Sequence, residues 1–173
     1  QPPHLSAYNL TFEEGTPFHA ALMKGSMKEL DADIAASLFE LTQVRMNAAG
    51  LPAYEVSNHA RIGQESRHNL AYWRYADYAG VGPGAHGRRL GQATERHKKP
   101  ENFVAAVARN GHGLKVEADL PAHERATEAM LMGLRLTEGV DLARIETRSG
   151  LGREAFVDAN AVAWLVDQGL MTL

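Results

Sequence analysis

The chain of 173 residues contains no cysteine. That absence excludes disulfides, a thiolate zinc site and any iron–sulfur cluster ligated by cysteine from within this chain. Long apolar runs are missing as well. None approaches the roughly 20 residues of a membrane-spanning helix, and the first residues hold no basic segment followed by an apolar stretch, so a cytoplasmic location is expected. Strong charge of one sign is also absent: a net charge of −3 gives no general attraction to nucleic acid or anionic lipid. The eight histidines show no HExxH or similar metal spacing, and no phosphate-binding loop or nucleophile elbow is present. What remains is 45% apolar, a composition and length that suit one ordinary domain or somewhat more.

One stretch stands out against that background. It reads Tyr54-Glu-Val-Ser-Asn-His-Ala60, then His68-Asn-Leu-Ala-Tyr-Trp73, then Gly80-Val-Gly-Pro-Gly-Ala-His-Gly87. Tyr54 to Ser57 alternates polar and apolar residues and is a strand candidate, followed by a loop at Gly63. His68, Asn69, Tyr72 and Trp73 are spaced so that a helix or tight turn brings a ring nitrogen, an amide and two large aromatic rings together. Val81 to Gly87 holds three glycines and a proline, the composition of a strand end where backbone comes close to something else. Gly-Val-Gly-Pro-Gly-Ala matches a dinucleotide fingerprint only superficially, because the Arg-rich residues after it lack a helical apolar period.

The rest of the chain frames that stretch. His4 to Phe12 alternates as a strand, and Glu13-Glu-Gly-Thr-Pro closes it with turn residues. Phe18 to Met27 is a short helical piece ending near Gly25. The clearest helix runs from Asp31 or Asp33 to Ala49, with Ile34, Leu38, Leu41, Val44 and Ala48 as its apolar stripe and Gly50-Leu51-Pro52 as its stop. Strand, helix and strand predict one unit of a mainly parallel sheet, with Tyr78 to Gly84 as the next strand. In such folds function gathers at the C-terminal strand ends, which places Thr11, Asn58 and the Gly82 to His86 turn on one edge.

From Arg88 to Lys99 the chain is basic, either a solvated connector or a rim that attracts ligand carboxylates. Pro100 and Glu101 open a helix through Phe103, Val104, Val107 and Ala108 to Gly111. Three helices follow Leu120-Pro121. Glu124 to Leu136 is expected to bury Ala126, Met130, Leu131 and Leu134; Asp141 caps Leu142 to Arg148; and Arg153 to Gln168 carries Phe156, Val157, Ala163, Trp164 and Leu165. That arrangement suits a winged-helix-like domain. Residues 118 to 173 nevertheless hold five arginines, no lysine and nine carboxylates, which argues against a nucleic-acid partner. The expected class is α/β: the last strand-helix units of a partial (β/α) barrel over residues 1–90, a basic connector and helix over 91–117, and a helical, winged-helix-like C-terminal domain over 118–173.

Taken in order, Tyr-Glu-Val-Ser-Asn, His-Asn-x-x-Tyr-Trp and Gly-x-Gly-x-Gly-Ala-His, with His4-Leu-Ser-Ala-Tyr-Asn-Leu-Thr11 before them and Leu134-Arg-Leu-Thr-Glu-Gly139 after, resemble one family. It is the HemW haem-chaperone family, related to the oxygen-independent coproporphyrinogen III oxidases of the radical S-adenosylmethionine (SAM) superfamily. The resemblance runs nearly end to end. It implies that this is the C-terminal part of a longer protein, an expectation to which the opening Gln1-Pro-Pro and the strand-like Leu170 to Leu173 add. In the whole protein a cysteine motif upstream would hold a 4Fe-4S cluster beside SAM, and the present part alone would be catalytically inactive.

The resemblance also implies roles. His68 would be an axial ligand to haem iron, with Asn69, Tyr72 and Trp73 completing the haem motif. Read as residues alone, His68 equally suits a hydrogen bond within a turn, with Tyr72 and Trp73 filling core. Gly82, Gly84 and His86 would lie toward SAM, and Thr11 matches a position that meets a second SAM in the oxidases; glycines there also serve close packing. Glu55 and Asn58 would join a methionine or propionate network, or satisfy backbone at a strand end. The implied partners are haem and haem-accepting respiratory proteins, with membrane contact only through such a partner. The alternatives are an oxygen-independent coproporphyrinogen III oxidase of porphyrin biosynthesis and an inactive interaction module.

Overall fold

The computed structural model describes residues 2–173, which fall into two compact units, one up to Ser66 and one from Arg67 to Leu173. Among the described residues there are seven α-helices and two small sheets, so the α/β class holds.

In the first unit, β1 is His4–Ser6, α1 Pro17–Met23, α2 Ala32–Ala48 and β2 Asn58–Ala60. Thr16 Oγ1 caps α1 by accepting from His19 N at 3.2 Å. For α2, Asp31 Oδ1 accepts from Asp33 N and Ile34 N at 3.0 and 3.3 Å, satisfying amides that no helical carbonyl reaches. The expected strand over His4 to Phe12 shrinks to three residues, leaving Thr11 exposed in irregular chain. The second strand starts at Asn58 rather than Tyr54.

The sheet is antiparallel, not parallel, with Leu5 opposite His59. The reason is local. Tyr54 N donates to Asn58 O at 3.1 Å and Ala60 N to Pro52 O at 3.0 Å, so the chain doubles back on itself before β2 and enters it in the opposite sense. A two-stranded ribbon covers little of a helix, and the α2 stripe is correspondingly open. Ile34, Leu38, Leu41 and Val44 are all about half exposed or more, up to 63%.

In the second unit, α3 is Arg67–Trp73, β3 His86–Arg89, β4 Gln92–Arg96, α4 Pro100–Asn110 and β5 Leu114–Asp119. Strands β3, β4 and β5 form an antiparallel sheet in that order. The expected strand over Tyr78 to Gly84 contributes only a single bridge from Tyr78 to Arg88. The basic stretch is not a connector over Arg88 to Arg96: it is most of a hairpin. Its turn places Leu90 at φ 52° and Gly91 at φ 81°, the left-handed pair that matches the twist of adjoining strands.

The helical end consists of α5 Ala122–Gly133, α6 Leu142–Ser149 and α7 Ala159–Asp167. Its core is Ala126, Ala129 and Ile145, packed by Tyr75, Met130, Val140, Leu151 and Phe156. Leu131 and Leu134, expected inside, are exposed because α5 turns its small residues to α6. The last expected helix is divided. Arg153–Ala155 forms one 3-10 turn, and Asp158 Oδ1 then accepts from Asn160 N and Ala161 N at 2.9 and 3.2 Å to start α7 afresh. No helix among the described residues is long and apolar enough to cross a membrane.

Candidate functional site

Helix α3 carries the His-Asn-x-x-Tyr-Trp string. Residues four apart share a helix face, so His68 lies one turn before Tyr72, and Asn69 one turn before Trp73. His68 is exposed, and among the described residues no hydrogen bond engages its ring. Tyr72 and Trp73 meet edge to face with centroids 5.3 Å apart, and Tyr72 packs at 5.0 Å on Tyr78. The guanidinium of Arg135 lies 4.5 Å from the Trp73 ring centroid, a cation–π contact. Trp73 Nε1 is buried and has no hydrogen-bond partner. Burial, with the Tyr72 hydroxyl next in effect, pushes the Tyr78 phenol up to about 12.

Gly82 and Gly84 form a turn ahead of β3, with φ of 91° and 73° that a side chain would strain. Gly84 N donates to His97 O at 2.9 Å, and His86, the first residue of β3, is exposed. Thr11 belongs to the first unit and Gly82, Gly84 and His86 to the second.

Glu55 and Asn58 are buried in the first unit at 0% and 3% exposure. Glu55 Oε1 accepts from Ser57 N at 2.8 Å and Asn58 Nδ2 at 2.5 Å, while Asn58 Oδ1 accepts from the Ser6 hydroxyl at 2.5 Å. Both side chains thus tie the turn to β1, the backbone-satisfying use of such residues.

A second polar cluster was invisible in the sequence, because its members come from three separate elements. Glu128 of α5 accepts from the Tyr75 hydroxyl at 2.6 Å and from Arg88 Nε and Nη2 at 3.1 and 2.9 Å. The Arg88 hydrogen bonds hold the Glu128 carboxyl below the usual carboxylate range, with Tyr75 adding to the effect. Burial, and then the carboxylate beside it, raises the Tyr75 phenol. Tyr75 itself sits at φ 52°, and its carbonyl accepts from Arg148 Nη1, whose Nη2 also donates to Asp77 at 3.0 Å.

The family model described as the HemN C-terminal domain matches residues 120–173. Over 145 residues, 79% of this chain, it is 39% identical to Radical S-adenosyl methionine domain-containing protein 1, mitochondrial, of Mus musculus, of which it covers 33%. It is 33% identical to Heme chaperone HemW of Bacillus subtilis over 85% of this chain and 39% of that protein. With Heme chaperone HemW of Mycobacterium tuberculosis it shares 39% identity over 82% of this chain and 36% of that one. The solved coproporphyrinogen III oxidase (HemN) from Escherichia coli matches in fold with a TM-score of 0.61 at 16% identity, over 87% of this chain and 37% of that one. Over most of its length the chain is therefore similar to HemW and its relatives, and its residues 120–173 match the HemN C-terminal domain. It spans a little over a third of the length of the curated relatives it matches.

Proposed function

We propose that this chain is the haem-holding part of a haem chaperone in which His68 ligates the iron. The observation that carries the reading is the exposed His68 at the start of α3, with Tyr72 one turn behind it on the same face. A neutral imidazole is a common axial ligand to haem, and flat aromatic side chains suit a porphyrin edge. The residues fit that group: the His68 ring makes no hydrogen bond among the described residues, and Tyr72 and Trp73 brace each other edge to face. Asn69 would orient the bound group, and haem when bound supplies the iron chemistry.

In the complete protein the proposal includes a 4Fe-4S cluster and SAM. With no cysteine available here, that cluster would be ligated by residues outside this chain. Gly82, Gly84 and His86 would lie toward that SAM, and Thr11 toward a second one. The proposal also includes haem transfer to respiratory proteins and a cytoplasmic setting. The oxidase reading has less support, because a likeness at 16% identity carries the fold alone.

The test is a haem titration of the chain followed by visible absorption. A Soret shift that saturates near one haem per chain, is lost in His68→Ala and survives in His86→Ala is expected. Equal binding by all three proteins removes the role given to His68.

A further inference from the structure

A cleft of about 570 Å³ lies wholly within the second unit, between the segment after α3, the β3–β4 turn and helices α5 and α6. That volume is ordinary for a small-molecule site. Its charge is not ordinary for this chain. Six arginines line it, Arg74, Arg88, Arg89, Arg125, Arg144 and Arg148, against three carboxylates, Asp77, Glu138 and Asp141. The whole chain carries a net −3, so the cleft reverses the local sign.

Half of those arginines are committed to carboxylates. Arg74 binds Glu138 at 2.6 and 2.7 Å, Arg148 binds Asp77 at 3.0 Å, and Arg88 is held by Glu128. Asp141 Oδ1 is taken up in capping α6 through Arg144 N. The other three have no carboxylate partner among the described residues. Arg125 gives Nη1 to Leu120 O and Nη2 to Ser149 O, both neutral carbonyls. Arg89 and Arg144 are exposed and enter no ion pair, although the Arg144 charge helps hold the Glu138 carboxyl down. Trp73 also lines the cleft. Concentrated guanidinium charge that no carboxylate neutralises is the complement of an oxyanion.

We propose that this cleft binds a multivalent oxyanion, with Arg89 and Arg144 as the principal partners. The shared chemistry is two or more carboxylate or phosphate groups, supplied by the acid side chains of a tetrapyrrole or by a free small anion. The site goes beyond the haem reading and does not depend on it, because it needs neither iron nor His68.

The test uses the 173-residue chain and two probes. Pyrophosphate binding is measured by calorimetry, and binding of metal-free protoporphyrin IX by its own emission, alongside its dimethyl ester. Proteins compared are the parent, Arg89→Gln/Arg144→Gln, and Arg109→Gln on α4 as a control outside the cleft. At least one probe is expected to saturate, with affinity roughly tenfold or more weaker in the double variant and unchanged in Arg109→Gln. Weaker binding of the ester identifies a tetrapyrrole source; a response to pyrophosphate alone identifies a free anion. Failure of both probes to bind overturns the proposal. So does a folded double variant, judged by circular dichroism, that binds as well as the parent. Should that variant not fold, ester and free acid binding the parent alike, with no pyrophosphate binding, has the same consequence. Neither probe contains iron, so loss of the His68 role leaves this result readable.

Discussion

Replacing Glu128 by alanine removes the acceptor that links α5 to β3 and to the segment after α3. Three hydrogen bonds disappear at once, from Tyr75 and twice from Arg88. An exposed ion pair is worth about 0–1 kcal/mol, whereas breaking a fully buried one costs about 3–5 kcal/mol. The Arg88 and Glu128 side chains are each 23% exposed, so solvent screens part of the interaction, and the expected loss is about 2–3 kcal/mol. Tyr75→Phe deletes one bond to a charged acceptor and leaves packing in place, for a loss of about 1–2 kcal/mol. The two changes share a partner. In the Glu128→Ala background Tyr75→Phe should therefore cost almost nothing, a coupling of about 1 kcal/mol or more.

Urea unfolding followed by tryptophan emission is the assay, because both tryptophans, Trp73 and Trp164, lie in the second unit. The pH dependence supplies an independent sign. Glu128 has its folded pKa below the ordinary 4.5, so on acidification the unfolded chain takes up this proton first. The stabilisation is complete above that ordinary value and is lost as pH falls through the folded one, so the gap between parent and Glu128→Gln should close on acidification. For Tyr75 the shift is upward from 10.0. Its contribution is complete below that value and falls as pH rises past it, and Tyr75→Phe should remove that alkaline loss. A Glu128→Ala loss below about 0.5 kcal/mol, or additive effects of the two substitutions, would refute the reasoning.

Two further predictions concern backbone. A Cβ at Gly80 would lie 2.2 Å from the His86 carbonyl oxygen, a backbone atom with little room to give; Gly80→Ala should cost about 1–3 kcal/mol, read as a lower urea midpoint with unchanged slope. Leu90 holds φ 52° in the hairpin turn with its side chain 79% exposed. Leu90→Asn should stabilise the second unit by about 0.5–1 kcal/mol, because asparagine tolerates the left-handed region better, and an unchanged or lower midpoint would count against that account of the turn.

Helix ends were legible because their signals are local. Asp31, Asp141 and Gly111 sit beside the amides and carbonyls they serve, and α2, α4 and α6 begin and end within a residue or two of the positions those residues predict. Asp158 was the missed case: Phe156 and Val157 continue an apolar pattern across it, and pattern outweighed cap. Strands were less legible, since pairing depends on distant partners. Leu114–Asp119 has five exposed residues in six and no inward alternation to read, yet backbone pairing to β4 makes it a strand. The parallel sheet failed for the same reason, because its direction was decided by two backbone bonds around Asn58 and Pro52 rather than by side-chain pattern.

The candidate site divides along the same line between local and distant causes. His68, Asn69, Tyr72 and Trp73 occupy one helical turn and a half, so their spacing alone predicts which share a face, and α3 delivers that arrangement. The arginine cleft has no such period. Arg74 and Arg89 are fifteen positions apart, and Arg144 is a further fifty-five along the chain, so only the packing of the hairpin turn near α5 and α6 gathers them. Their sequence neighbourhoods point the wrong way: Arg144 lies in the acid-rich last third, where nine carboxylates against five arginines suggested an anion-repelling domain. The fold places many of those carboxylates elsewhere or pairs them off, and it leaves Arg89 and Arg144 at one cleft with no carboxylate of their own. Net charge over a segment therefore says little about charge at a surface, and the sign that a ligand meets is set by which guanidinium groups the fold leaves unpaired.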